Sequence, residues 1–237
     1  MKATWNLKEM PPTFDYASWL VAVKTLGATT IHFKDEGEIQ KKKFPEEVAW
    51  ERFRTILVGL TELSGTPYTR GPGGNDGITT EYHPSTVEAL YRRLGRVWKF
   101  PLIDGPRDGY ITVTLRNSKR YPERNSSPAW DEFIRASKRR VVVLADNEAN
   151  PMPFPERMKL YSNAEMNYGV NNGPMWFCQY SDAPYRVFNY APSKAWKAHY
   201  ERIKFPPGSQ FSFRTESQEI CWKPDTLETI MARIDDK

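Results

Sequence analysis

In the second half of the chain, short strand-like runs alternate with segments of helical spacing. Tyr110–Leu115 reads Tyr-Ile-Thr-Val-Thr-Leu, and Arg140–Ala145 is an almost continuous apolar run. Runs of this kind are typical of strands buried on both faces of a parallel sheet, and we expect Arg140–Ala145 to be one. Between them we predict a helix over Ser127–Ala136, capped by Ser126 or Ser127. The alternation predicts a doubly wound α/β domain.

The same alternation covers the rest of the chain. Strands are predicted over Ala3–Leu7, Thr29–Phe33 and Tyr185–Tyr190. Helices are predicted over Phe14–Leu26, Pro45–Leu63, Pro84–Leu94 and Met158–Ala164, and a further apolar helix through about Tyr180.

Phe100–Asp108 contains two prolines and a glycine and is the candidate boundary between two lobes. The sequence therefore predicts an N-terminal α/β lobe over 1–105 and a C-terminal α/β lobe over 106–237. Both lobes are expected to be small and Rossmann-like, with parallel sheets and a cleft between them.

The composition of the chain restricts the kinds of ligand and partner that it can bind. The chain has 237 residues with 39% hydrophobic residues and 8 Trp, so it can bury a real core. A net charge of +5 is mild and suits an anionic small molecule, which makes nucleic acid a less favoured partner. Two cysteines, no apolar leader and no apolar run of about 20 residues predict a cytoplasmic protein without a membrane span.

The first candidate site is the turn Gly169-Val170-Asn171-Asn172-Gly173-Pro174. Glycine lets a backbone approach a ligand closely, Asn172 is a good helix N-cap, and Pro174 is tolerated in a first helical turn. The free N–H groups of the helix that follows would face an anion, and a phosphate is its natural occupant. The alternative is a capped helix with no ligand.

The second candidate site is the basic loop that follows the strand Tyr110–Leu115. It runs from Arg116 to Asn125 and includes Arg120 and Arg124. Ligands of open α/β sheets bind at the carboxyl ends of strands, and arginine binds phosphate with two parallel hydrogen bonds. The alternative is a solvated charged loop. Because both candidate sites lie at strand ends of one predicted sheet, together they favour a shared anionic ligand.

A family resemblance follows from these segments. Asn171-Asn172-Gly173-Pro174-Met175 and the Pro-led run Pro184–Phe188 resemble the donor-site region of heptosyltransferase-type glycosyltransferases. Ile111–Phe133, with a strand, a basic loop and Trp-x-x-Phe, resembles the start of their C-terminal lobe. The resemblance spans about Tyr110–Tyr190. It implies the two-lobed GT-B fold, with a nucleotide-sugar donor held mainly by the C-terminal lobe and an acceptor on the N-terminal side. The family's acidic residue in the turn is Asn172 here, and its following histidine is Trp176.

Sugar transfer with inversion needs a general base for the acceptor hydroxyl. Asp15, at the start of the first predicted helix, is the first candidate; His32, Asp76 and His83 are the others, and capping is the alternative role of Asp15. Arginines and a helix dipole would stabilise the leaving diphosphate, so the scheme requires no metal and no cofactor beyond the nucleotide-sugar substrate.

Three hypotheses remain open from the sequence. The first is a glycosyltransferase-like protein of hexosyl or heptosyl type, with Arg116, Arg120, Arg124, Asn125 and the Asn171–Pro174 segment holding the donor. The second is a non-catalytic nucleotide-binding or sequestering protein on the same scaffold. The third is a single-stranded nucleic-acid binder that uses basic loops and aromatic side chains. The sequence determines neither the sugar, the acceptor nor the oligomeric state.

Overall fold

The computed structural model describes residues 1–41, 43–74, 77–106, 108–118, 122–145, 152–190 and 193–234. It divides into two compact units, Met1–Pro101 (unit 1) and Leu102–Lys237 (unit 2). The sequence had placed the division after residue 105. In the described part of the chain, no helix is both long and apolar enough to cross a membrane.

Unit 1 is built on a parallel three-stranded sheet in the order β1-β2-β3. Its strands are β1 (Lys2–Asn6), β2 (Thr30–Lys34) and β3 (Tyr68–Gly71). Its helices are α1 (Asp15–Thr25), α2 (Glu46–Arg52), α3 (Gly59–Leu63) and α4 (Pro84–Leu94), with a π-helical segment Phe53–Val58 joining α2 to α3. The predicted helix Pro45–Leu63 is therefore one helical stretch with a π segment inside it.

An aromatic cluster forms much of the core of unit 1. Trp5 on β1 meets Tyr16 and Trp19 of α1 with ring centroids 5.0 and 5.2 Å away, both edge to face. All three side chains are fully buried. Edge-to-face aromatic pairs add stabilisation beyond the burial of their area, which fixes α1 against this strand.

Unit 2 is built on a parallel five-stranded sheet in the order β5-β4-β6-β7-β8. Its strands are β4 (Tyr110–Leu115), β5 (Arg140–Ala145), β6 (Met166–Val170), β7 (Tyr185–Phe188) and β8 (Gln218–Cys221). Its helices are α5 (Ala129–Ala136), α6 (Phe154–Asn163), α7 (Met175–Gln179), α8 (Lys194–Arg202) and α9 (Leu227–Met231), with a 3₁₀ turn at Pro122–Arg124. The α/β class with two parallel sheets is confirmed.

The strand order of unit 2 reverses once. From β4 the chain crosses to β5 on one side, and it then returns to β6, β7 and β8 on the other. Such an order has a switch point, here between β4 and β6, where the loops after the two strands diverge and leave a crevice. The fold therefore places the ends of β4 and β6 where ligands of open α/β sheets bind.

Local predictions were wrong at β5 and at the start of α5. Arg140–Ala145 is a strand, but it is the edge strand β5, and of its residues only Leu144 is buried. The predicted serine cap of α5 is absent: the cap position is Pro128, Ser126 Oγ accepts from the Arg116 N–H at 2.8 Å, and Ser127 binds Asp225 instead.

Gly169 does not begin a turn, as the sequence suggested, but lies inside β6. A Cβ at this position would lie 2.8 Å from the backbone oxygen of Thr114 on β4. Glycine is required here because β4 and β6 approach each other closely at the switch point.

Candidate functional site

The carboxyl ends of β4 and β6 meet at the switch point. Thr114 pairs with Gly169 across the two strands, so Arg116 and Asn171 both leave the sheet at the same edge. The two candidate sites of the sequence are thus brought together as neighbouring strand ends.

An open cleft with a cavity volume of about 30 Å³ lies at this edge. It is lined by Glu123, Arg124 and Asn125 from the loop after β4, Val170 and Asn171 from β6 and its end, Phe188, Asn189 and Tyr190 from β7 and its end, and Asp225 from the loop after β8. Four successive segments of the sheet therefore contribute to one surface. This is the expected position of a ligand site in an open α/β sheet.

Arg124 is held in the cleft by neutral partners. Its Nη2 donates to the backbone oxygen of Asn171 at 3.0 Å, and its guanidinium lies 4.4 Å from the ring centroid of Trp196. Within the described residues, no carboxylate lies at ion-pair distance from it. A positioned guanidinium that lacks a close carboxylate can give its remaining N–H groups to an anion.

Trp196 of α8 joins the loop after β4 through a second contact. Its Nε1 donates to Oε1 of Glu123 at 2.9 Å, and we call Glu123, Arg124 and Trp196 the tryptophan clasp. This hydrogen bond is the main reason that the pKa of the exposed Glu123 carboxyl is lowered, with smaller contributions from a backbone hydrogen bond and from Arg124 and Arg116. The clasp fixes one wall of the cleft.

A buried polar network supports the floor of the cleft. Asn171 Nδ2 donates to Oδ1 of Asn189 at 3.1 Å, and Tyr200 Oη donates to the same oxygen at 2.6 Å. Gln179 Nε2 reaches Oδ1 of Asn171 at 3.4 Å. Asn189 is almost fully buried, yet its Nδ2 has no hydrogen-bond partner among the described residues. A donor whose side chain is fixed this way can give a hydrogen bond to a ligand oxygen.

Asp225 supplies a hydrogen-bond acceptor to the cleft. Its Oδ2 accepts from Ser127 N at 2.8 Å and from Trp130 Nε1 at 2.7 Å. Its Oδ1 receives no hydrogen bond from the described residues. The cleft therefore offers a cation, an amide donor and a carboxylate oxygen from three different loops.

Other residues of the basic loop form hydrogen bonds that fix the conformation of the loop. Asn125 Oδ1 accepts from Ser118 N at 2.7 Å and its Nδ2 donates to Ser118 O at 3.2 Å, which closes the loop at its base. Arg116 is partly buried, and its backbone N–H is bound by Ser126. Arg120 lies outside the described residues.

The segment Asn172–Pro174 lies just beyond the cleft lining. Asn172 Oδ1 accepts from Met175 N at 3.1 Å, as its predicted capping role requires, and Trp176 N donates to Gly173 O at 3.1 Å. These bonds use two N–H groups at the start of α7, which spans only Met175–Gln179. Asn172 is buried, and its Nδ2 has no hydrogen-bond partner in the described part of the chain. The capacity to bind an anion thus lies with Arg124 more than with α7.

Asp15 is in unit 1, at the first position of α1. Its Oδ2 accepts from Thr13 Oγ1 at 2.9 Å and lies 3.8 Å from Lys43 Nζ. The alternative candidate His32 is buried and bonded to Thr69 and Gly73, and His83 precedes α4. Asp76 lies outside the described residues. In the described part of the chain, no group of three or more His, Cys, Asp or Glu side chains could hold a metal ion.

Sequence reasoning missed Asn189 and Asp225. Asn189 fell inside a strand predicted to run to Tyr190, whereas β7 ends at Phe188. Asp225 follows β8, which was not predicted at all. The available signal was their position: each is a polar residue shortly after a strand of the sheet.

No protein-family model and no curated protein matches the chain. Solved structures that are similar to it include the following two. E. coli heptosyltransferase WaaC with ADP has 11% identity and a TM-score of 0.48, covering 100% of this chain and 99% of that chain. The bacterial iron-containing dodecameric glycosyltransferase TibC from enterotoxigenic E. coli H10407 has 14% identity and a TM-score of 0.36, covering 79% of this chain and 58% of that chain.

Proposed function

We propose that the cleft of unit 2 binds the diphosphate of a nucleotide, with a nucleotide sugar as the natural ligand. The observation that carries this proposal is Arg124, a guanidinium positioned by Asn171 O and the Trp196 ring at the switch point, with no carboxylate of the described residues at ion-pair distance. Phosphate oxygens match the donor geometry of arginine. Arg116, and in the sequence Arg120, add positive charge to the same loop.

The other polar groups of the cleft favour a nucleotide over a bare anion. Asp225 Oδ1 accepts hydrogen bonds and so suits hydroxyl groups, whereas Arg124 and Asn189 Nδ2 donate. A ligand that offers both phosphate oxygens and hydroxyls would satisfy both kinds of group. Nucleotides and nucleotide sugars have this composition.

We further propose that the bound donor is used for metal-independent sugar transfer. The acceptor hydroxyl attacks the anomeric carbon, the bond from that carbon to the diphosphate breaks, and the hydroxyl proton passes to Asp15 as general base. Arg124 and Arg116 would stabilise the negative charge that develops on the departing diphosphate. We assign the reaction to the cytoplasm, which fits two free, buried cysteines.

Isothermal titration calorimetry with nucleoside diphosphates and nucleotide sugars tests the binding step. Because hydrogen bonds to charged groups contribute about 1.5–3 kcal/mol, Arg124→Gln should weaken binding about 10- to 100-fold. Arg135→Gln is the control, since Arg135 is exposed on α5 and, among the described residues, bonds only to Asp131 O of its own helix. Absence of binding by every nucleotide at millimolar concentration would rule the proposal out.

Binding without transfer is the second candidate. The contacts of Asp15 with Thr13 and Lys43 favour it, because they give that carboxylate a structural role within unit 1. Release of nucleoside diphosphate from a nucleotide sugar separates the two functions. Transfer predicts release that Asp15→Asn abolishes, whereas tight binding with no release by the wild type would establish the second.

A further inference from the structure

Unit 2 has a second cavity at the amino-terminal end of its sheet, opposite the end that carries the candidate cleft. We call it the amino-end cavity, and its volume is about 280 Å³. Its lining includes Met166 and Tyr168 of β6, Arg186 of β7, Arg139 and Glu165 just before β5 and β6, and Arg233 after α9. Pockets for small molecules begin at about 300 Å³, so this cavity has the size for a small organic molecule.

The face of the sheet changes from apolar to charged where this cavity opens. Residues in register on neighbouring parallel strands lie on the same face. Near the carboxyl ends, one such row consists of Val170, Phe188 and Cys221, which belong to the buried core together with side chains of α5 and α9. The next row toward the amino ends on that face consists of Tyr168, Arg186 and Glu219. On β7 and β8, a charged residue thus takes the place of a core residue two positions earlier.

Five charged side chains surround the amino-end cavity. Arg139 Nη1 lies 2.9 Å from Oε2 of Glu165. Glu219 is shared by two arginines, since its Oε1 lies 3.2 Å from Nη2 of Arg233 and its Oε2 lies 3.8 Å from Nη1 of Arg186. These five side chains carry three positive charges and two negative charges. They therefore leave an excess of one positive charge at the cavity.

Arg186 is the most deeply placed of the three arginines. Its side chain is only 16% exposed, against 40% for Arg139 and 33% for Arg233. Its distance of 3.8 Å from Glu219 permits an ion pair but is too long for a hydrogen bond. Since a buried charge is stabilised by a hydrogen-bonded partner of opposite charge, an anion within the cavity would complete this arrangement.

We propose that the amino-end cavity is a second ligand-binding site, and that its ligand is a small aromatic monocarboxylate. The carboxylate would pair with Arg186 and Arg233, because the guanidinium group matches carboxylate geometry and one negative charge balances the excess. The aromatic body would lie against Met166, Tyr168 and Ile234. The Met166 thioether favours an aromatic partner, since sulfur makes favourable contacts with aromatic rings.

Methyl NMR of protein with labelled methionine methyl groups tests the site, with phenylacetate as the probe. The phenyl ring should shift the methyl resonance of Met166, assigned with Met166→Leu, at low millimolar concentration. The resonance of Met158, which is fully buried on α6, should not move. Phenylacetamide keeps the ring without the charge, and acetate keeps the charge without the ring. Each should bind at least about tenfold more weakly than phenylacetate.

Two arginine variants test the cations. Arg186→Gln should weaken phenylacetate binding about tenfold or more, because it removes charged hydrogen bonds at a largely buried position. Arg233→Gln should weaken it less, since Arg233 is more exposed. Arg135→Gln, at an exposed position of α5, is the control and should keep the wild-type affinity. Circular dichroism establishes that each variant is folded, and Arg233→Gln, in the turn after α9, keeps the test decisive if Arg186→Gln does not fold.

Several outcomes would overturn this second site. One is a Met166 resonance that phenylacetate leaves unchanged at millimolar concentration. Equal binding of phenylacetamide would show an apolar pocket without selectivity for anions, and equal binding of acetate would show that the ring has no role. Wild-type affinity in the folded Arg186→Gln or Arg233→Gln protein would contradict the assigned cations. These measurements involve no nucleotide, so their outcome is independent of the function proposed for the cleft at the carboxyl ends.

Discussion

The polar side chains of the two sheets differ in how fully the protein itself satisfies their hydrogen bonds. In unit 1, Thr4, His32 and Thr69 lie side by side on one face of β1, β2 and β3, and the glycine-rich loop after β3 covers them. Thr4 Oγ1 donates to Gly74 O at 2.6 Å, and the His32 ring bonds Thr69 Oγ1 at 2.8 Å and Gly73 O at 3.1 Å. This polar face is satisfied by the chain itself.

In unit 2, the polar groups at the strand ends are only partly satisfied. Arg124 has neutral partners, Asn189 Nδ2 has none, and Asp225 retains one oxygen, all among the described residues. The difference separates structural from functional polar residues. Groups that are fully bonded internally stabilise the fold, whereas groups held in place but left unmatched are positioned for a ligand.

Gly169→Ala should cause the largest loss of stability. The new Cβ would meet the backbone oxygen of Thr114, which cannot move without separating β4 from β6. Overpacking costs about 1–3 kcal/mol, and we expect about 3 kcal/mol here because backbone is involved. Urea denaturation of unit 2 measures it, and nucleotide binding should weaken as well. A loss below about 1 kcal/mol would show that the strands can adjust.

Gly74→Ala breaks the closed face of unit 1. Its φ of +90° disfavours a side chain, and the Cβ would lie 2.8 Å from Nε2 of His32. We expect a loss of about 2 kcal/mol, from the left-handed backbone and the displaced histidine bonds. Gly73→Ala is the matched control, since its φ is +85° with no atom within 4 Å, and it should lose only about 1 kcal/mol.

The Gly74→Ala protein also tests whether the polar face of unit 1 takes part in ligand binding. Since the loop of unit 1 satisfies polar groups of its own unit, nucleotide affinity in unit 2 should not change. Calorimetry on the folded variant measures this affinity. A large loss of affinity would contradict the assignment of this face to structure alone.

Asn189→Leu tests the network beneath the cleft. Asn171 Nδ2 and the Tyr200 hydroxyl would lose their shared acceptor inside the protein. Leaving buried polar groups unmatched costs about 1–3 kcal/mol, so we expect a loss of about 2 kcal/mol in urea denaturation. Asn117→Leu, at an exposed position of the basic loop, should stay within about 0.5 kcal/mol of the wild type. Equal losses in the two variants would show that this network does not stabilise the protein.

The sequence predicted elements whose pattern is local. β4 and α4 were placed with their observed ends, because Tyr-Ile-Thr-Val-Thr-Leu alternates clearly and Pro84 begins a periodic segment closed by Gly95, whose φ is +67°. β6 was missed because Asn167 and Gly169 interrupt its apolar pattern. Asn167 is nevertheless buried, bonded to Thr112 Oγ1, Tyr161 O and Pro184 O, and partners so distant in sequence leave no local signal.

The position of β5 depends on strand order, which is also non-local. Its valines indicate a strand but not whether one neighbour or two will flank it. The residues of the candidate site, too, could be predicted only where a local sequence pattern marks them. Arg124 could be found because it lies in the basic loop after the recognisable strand segment Tyr110–Leu115, and Asn171 because it lies in a turn pattern of Asn, Gly and Pro. Asp225 could not, since the four residues Gln-Glu-Ile-Cys of β8 carry no strand pattern of their own.

The smallest expected effect concerns the tryptophan clasp and its dependence on pH. The pKa of Glu123 is lowered from its ordinary 4.5, chiefly by the hydrogen bond from Trp196. A group whose pKa is depressed in the folded state contributes stability above its unfolded pKa and loses it as the pH falls through the folded value. The charged hydrogen bond from Trp196 should therefore persist at pH 4.5 and weaken only below it, as Glu123 takes up a proton. The Nε1–H resonance of Trp196, assigned with Trp196→Phe, can be followed from about pH 6 to about pH 3, a range that brackets the ordinary pKa of a carboxyl group. In Glu123→Gln the resonance should not titrate, because the amide still accepts the hydrogen bond but carries no charge. A midpoint at or above 4.5 in the wild type would mean that Trp196 does not hold Glu123, and Arg124 would then lack one of the contacts that fix the wall of the cleft.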